Sequence, residues 1–161
     1  MIYLDNGATS FPKPRQVTDA VMEAMTQYCA NPGRSSHFLA AWTAQEIYKT
    51  RTALALLLGL EDAGRIVFTK NGTEALNLAL KGILRPGDHV ITSSMEHNAV
   101  LRPLKQLEAS GVEVTILPCD REGRLKPHQI RHAIRPETRM IVLTAASNVT
   151  GTLMPLEEVG R

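Results

Sequence analysis

At 161 residues, with 43% hydrophobic and 21% charged side chains, the chain has material for one ordinary core and is neither a disordered nor a fibrous sequence. Its 18 basic and 16 acidic residues leave a net charge of +2 and are scattered in both signs, so no basic arm or stripe points to nucleic acid. No apolar run approaches the roughly 18–20 residues of a membrane helix, and Met1-Ile2-Tyr3-Leu4-Asp5 offers neither a basic region nor a cleavable apolar stretch, so a cytoplasmic location away from membranes is expected.

The first elements in chain order are two helical segments, about Pro14 to Tyr28 and Leu39 to Leu58, separated by the turn-forming run Ala30-Asn31-Pro32-Gly33-Arg34-Ser35-Ser36. In the second, Leu39, Thr43, Ile47, Leu54 and Leu58 recur at helical spacing, which predicts a packed face joined by Trp42 and Tyr48. From residue 60 the pattern changes to short apolar runs alternating with amphipathic segments. Strands are predicted at Arg65–Thr69, His89–Thr92, Val112–Leu117 and Arg139–Thr144, and helices at Glu74–Ile83, Ala99–Ser110 and Pro127–Ile134, with another helix starting at Pro155. This βαβ rhythm argues for an α/β fold with a mostly parallel sheet flanked by helices. Residues 1–58 read as a leading segment and 59–161 as the first part of the α/β domain. Cys29 and Cys119 lie far apart and fit no metal or disulfide spacing, so both read as reduced structural thiols.

Three loops carry polar residues at predicted strand-to-helix or strand-to-loop junctions. Thr69-Lys70-Asn71-Gly72-Thr73-Glu74-Ala75 opens a helix, where unpaired N–H groups and the helix dipole favour an anion. Gly72 lets the backbone approach a phosphate, while the Thr73 hydroxyl either binds that phosphate or caps the helix. In Ser93-Ser94-Met95-Glu96-His97-Asn98, the His97 imidazole can lie on an aromatic cofactor or pass a proton, or simply cap the helix that follows. In Ala145-Ala146-Ser147-Asn148-Val149-Thr150-Gly151, Asn148 offers an amide to a ligand oxygen or belongs to an ordinary turn. Ligands of open α/β sheets bind outside the carboxyl ends of the strands, so the three loops should face one side. A nucleotide-binding Rossmann domain is disfavoured because no G-x-G-x-x-G follows the first strand.

Together, Tyr3-Leu4-Asp5-Asn6-Gly7-Ala8-Thr9-Ser10, Asn71-Gly72-Thr73-Glu74-Ala75-Leu76-Asn77, Glu96-His97-Asn98 and Ser147-Asn148-Val149-Thr150-Gly151 give the chain its family resemblance. In order and spacing it resembles the class V aminotransferase-fold enzymes, above all the cysteine desulfurase and selenocysteine lyase branch. The resemblance implies the large domain of fold type I, incomplete here, with pyridoxal 5'-phosphate (PLP) as cofactor. It also implies a small amino-acid substrate, a homodimer with sites at the subunit interface, and a sulfur-acceptor protein.

By motif, Gly72 and Thr73 would hold the cofactor phosphate and His97, the candidate catalytic residue, would stack on its ring. Asn148 would sit near the ring hydroxyl and the substrate carboxylate, and Ala8, within the opening motif, near the substrate. Asn31, Arg34 and His37 resemble a loop that approaches the site and the dimer contact, against the alternative of an exposed turn. The family's Asp at the pyridine nitrogen, its Ser-x-His-Lys with the Schiff-base lysine and its mobile-loop cysteine lie outside this sequence, and neither Cys29 nor Cys119 matches that cysteine. The expectation is therefore an N-terminal fragment of an enzyme that removes sulfur or selenium from cysteine or selenocysteine, inactive alone. Two alternatives stand beside it: another class V aminotransferase or lyase, and a non-catalytic module binding a phosphate ligand or a partner.

Overall fold

The computed structural model describes residues 2–33 and 36–161, which form two compact units, Met1–Phe68 and Thr69–Arg161. The reading of Arg34 lies outside the described residues.

In the first unit, helix α1 (Arg15–Glu23) runs into a five-residue π turn (Ala24–Tyr28), and helix α2 spans Phe38–Leu57. His37 caps α2 by accepting the Ala40 N–H on Nδ1 at 3.3 Å. Trp42 packs as expected, stacked on Tyr28 with ring centroids 4.8 Å apart. Tyr48 does not: it is 63% exposed, and Leu39 and Leu58 are exposed as well. Among the described elements of this unit the helix packs mainly on the π turn and a short 3-10 turn (Ala63–Arg65); Ala40 and Ala55 are buried, while much of the predicted apolar face stays exposed.

The predicted strand at Arg65–Thr69 is not a strand. Asp62 accepts the Gly64 N–H at 2.7 Å and starts the 3-10 turn, after which the backbone extends through Ile66. A strand exists only through ladder partners, and among the described residues this segment has none; Val67 and Phe68 are exposed.

The second unit has the predicted alternation: helix α3 (Gly72–Ile83), strand β1 (His89–Ser93), helix α4 (Asn98–Glu108), strand β2 (Glu113–Leu117), helix α5 (Pro127–Ala133), strand β3 (Thr138–Val142) and a short helix α6 (Leu156–Val159). The strands form a parallel sheet in the order β2-β1-β3, with Val90 opposite Val114 and Met140, and Ile91 opposite Thr115 and Ile141.

Successive side chains of a strand point to opposite faces, and here they feed two separate cores. Val90 packs with Leu80 and Leu84 of the α3 region and Val100 and Leu104 of α4. Ile91 packs with Leu117, Leu125, Ile130 of α5 and Met154. Helices thus cover both faces, and β1, buried along its whole length, is the centre of the unit. Because all three strands are parallel, the loops after β1, β2 and β3 emerge at one edge. No described helix is long and apolar enough to cross a membrane.

Candidate functional site

Helix α3 begins where Asn71, in extended backbone conformation, turns its side chain onto the first helical turn and accepts the Glu74 N–H at 2.9 Å. Glu74 reaches back to the Lys70 N–H at 2.7 Å, which closes the entry reciprocally. Asn71, not Thr73, is therefore the cap. The Thr73 hydroxyl makes no hydrogen bond among the described residues, and the Gly72 and Thr73 N–H groups lie in the first turn, where no helical carbonyl precedes them. A side chain at Gly72 would meet nothing within 4 Å, so the helix entry is open to a ligand.

His97 is the N-cap of α4, accepting the Ala99 N–H on Nδ1 at 3.0 Å. An accepting nitrogen carries no hydrogen, so in the neutral ring the hydrogen sits on Nε2. The capping alternative for His97 is thus realised, and it leaves Nε2–H uncommitted. Thr73 and His97 line one open cleft of about 270 Å³ between α3 and α4, together with Asn77, Lys81, Arg102 and Gln106. Two helix starts therefore meet at one cavity, with a hydroxyl, an imidazole N–H and two cationic side chains around it. That donor set suits a phosphate-bearing ligand.

At the carboxyl edge the three strand-following loops are tied to each other pairwise. Ser94 accepts the Cys119 N–H on its hydroxyl at 3.0 Å, joining the β1 and β2 loops. Thr152 donates its hydroxyl to the Glu122 carbonyl at 2.8 Å, joining the β3 and β2 loops. Glu96 Oε1 accepts the Thr144 N–H at 2.8 Å and the Ser93 hydroxyl at 3.0 Å, joining the β1 and β3 loops. Of these tying side chains only Glu96 is buried, and burial pushes its carboxyl above the usual range, against the opposing pull of its two donors. Sequence reasoning passed over Glu96 as part of a motif; the residues that give it a role lie up to 48 positions away.

Asn148 follows β3 in a turn held by Ser147, whose hydroxyl accepts the Val149 and Thr150 N–H groups at 3.3 Å. Gly151 adopts φ +72°, a left-handed conformation that suits glycine, and returns its N–H to Ser147 O at 2.9 Å. Asn148 is exposed, its side chain makes no hydrogen bond among the described residues, and it stands outside the cleft of Thr73 and His97. Ala8 lies in the first unit, in a turn where its N–H meets Asp5 O at 3.1 Å. Asn31 is exposed, Cys29 is an exposed thiol and Cys119 a half-buried one.

A family model described as Aminotransferase class-V matches residues 2–161. The chain belongs to this family. Cysteine desulfurase IscS of Methanosarcina thermophila is 40% identical over 163 residues, covering 99% of this chain and 40% of that protein. The apo structure of a cysteine desulfurase from Thermococcus onnurineus NA1 superposes with a TM-score of 0.88 at 32% identity, covering 99% of this chain and 40% of that one. A structure of SspA in complex with cysteine gives a TM-score of 0.85 at 33% identity, covering 95% and 45%. The class-V chain thus spans about 40% of the length of the curated relatives it matches. Its family membership covers both units, including the first, whose apolar helix face has few partners of its own.

Proposed function

We propose that this chain forms the cofactor-holding part of a PLP-dependent cysteine desulfurase, which takes sulfur from cysteine and leaves alanine. The observation that carries the reading is the meeting of Thr73 and His97, from two different helix starts, in a single cleft. The desulfurase relatives supply the reaction class. When bound, PLP supplies an electron-accepting ring for bond changes at the substrate carbon.

The chain's own residues bind and orient. The Gly72 and Thr73 N–H groups and the Thr73 hydroxyl would hold the phosphate, and the α3 dipole would add to that attraction. His97 would take the cofactor ring and offer it Nε2–H, its Nδ1 being committed to Ala99. Asn148 would supply an amide to the ring hydroxyl and the substrate carboxylate. In the overall reaction the cysteine C–S bond breaks, alanine takes a proton at that carbon, and a protein thiol receives the sulfur as a persulfide. Neither Cys29 nor Cys119 is assigned that thiol. A homodimer, a sulfur-acceptor protein and a cytoplasmic setting complete the proposal.

The reading is tested by titrating the chain with PLP and with pyridoxal, which lacks the phosphate, following ring absorbance. PLP is expected to bind at least about tenfold more tightly, as loss of a charge-assisted hydrogen-bonded group implies. Thr73→Ala should erase most of that difference. Equal affinity for the two compounds, or none for either, would contradict the proposal.

A further inference from the structure

We infer that Glu96 is a positioning residue: its buried carboxylate oxygen fixes the His97 loop against the Asn148 loop, and so sets the distance between the two sides of the site. The inference about use of the site rests on the proposed cofactor reading; the inference about loop spacing does not.

The geometry is specific. Glu96 immediately precedes His97, whose backbone position is in turn fixed by capping α4. Thr144 lies four residues before Asn148, just beyond the end of β3. One carboxylate oxygen, Oε1, takes both the Thr144 N–H at 2.8 Å and the Ser93 hydroxyl at 3.0 Å. Ser93 is itself fully buried at the last position of β1 and also accepts the Met95 N–H at 3.2 Å. The Glu96 side chain is thus clamped from its own strand on one side and holds the neighbouring strand's exit on the other.

Thr144 stands beyond the last ladder pair, Thr92 with Val142. Without Glu96 its N–H would have no partner among the described residues, and the β3 exit would lose its side-chain tie to the β1 loop, keeping the one from Thr152 to the β2 loop.

A buried carboxylate is costly to maintain compared with an apolar side chain of similar volume. At a buried position needing only stability, leucine or methionine would serve as well. An acceptor oxygen at this point instead directs two loops from strands that are adjacent in the sheet but far apart in sequence. The other two inter-loop bonds come from Ser94, which is exposed, and Thr152, which is half-buried, so neither is as shielded from water as the bond at Glu96.

The test uses the full chain with Glu96→Ala, Glu96→Gln and, as a stability-matched control, Ile130→Val in the second core. Amide hydrogen exchange at Thr144 and the resonances of His97 and Asn148 report loop placement, and PLP affinity reports its consequence. Glu96→Ala is expected to speed Thr144 exchange about tenfold or more, the effect of deleting one partner of a buried hydrogen bond. It should also move the His97 and Asn148 resonances together and weaken PLP binding by a similar factor. Glu96→Gln keeps an oxygen in the Oε1 position and should restore all three, whereas Ile130→Val should leave them in place.

Unmoved His97 and Asn148 resonances in Glu96→Ala, or failure of Gln to rescue, would overturn the inference. Should the alanine variant not fold, the parent decides: a Thr144 amide that exchanges as fast as an exposed loop amide overturns it. If the parent chain binds no PLP, the cofactor reading fails while exchange and resonances still judge the clamp.

Discussion

His89 sits fully buried at the start of β1 between two hydroxyls, with Nδ1 2.8 Å from Thr138 Oγ1 and Nε2 2.8 Å from Thr115 Oγ1. Burial holds its pKa below the usual 6.5; Arg135 pushes the same way, and Glu113 and Glu137 oppose. A histidine whose folded pKa is lowered binds fewer protons folded than unfolded, so its contribution to stability is complete above about 6.5 and lost as pH falls below it. Urea unfolding from pH 7.5 to 5 is expected to show stability falling with pH, and the fall should flatten in His89→Gln. An equal pH slope in the variant would assign the effect elsewhere. Burial pushes both groups toward their neutral forms, and Glu96 differs in that two donors, the Thr144 N–H and the Ser93 hydroxyl, pull against that push. Neither role was visible in the sequence, because Thr115 and Thr138 beside His89, and Thr144 beside Glu96, arrive from other strands. The helix starts beside Thr73 and at His97 are legible, since polar residues at a helix start announce themselves locally, whereas their use by a ligand belongs to the proposal.

Among the elements, the second unit follows the sequence closely, for a local reason. Each predicted strand there has a parallel neighbour and each helix a sheet face, so periodicity and packing agree. The segment at 65–69 has the composition of a strand and lacks the pairing, which no local pattern encodes. Tyr48 fails in the same way, as helical spacing marks a face without saying what covers it. The position of α3 depends on Leu80, 1% exposed between the helix, β1 and α4. Leu80→Ala is expected to cost about 2–5 kcal/mol, the range for emptying a leucine-sized volume in a packed core. Denaturant titration would measure it, and a loss under about 1 kcal/mol would mean that α3 is not anchored on this core.

Over the molecule as a whole, apolar side chains stand exposed on both units, Phe38, Leu56, Leu57 and Val67 on the first and Leu78, Ile116 and Leu153 on the second. Surfaces of this kind mark contact regions, and a net charge of only +2 offers weak electrostatic repulsion against association. The chain is expected to self-associate with rising concentration in sedimentation and to bind a hydrophobic dye while folded. A strict monomer with no dye binding would contradict this. The bond from Glu96 to Thr144 adds a temporal consequence. It spans 48 residues, and β3 must pair with β1 before it can close. Contacts of such separation form after the loop entropy of everything between them has been lost. Early in folding, β1 and α4 can assemble with His97 already seated as a cap. The spacing of His97 to the Asn148 loop is then among the last features to mature.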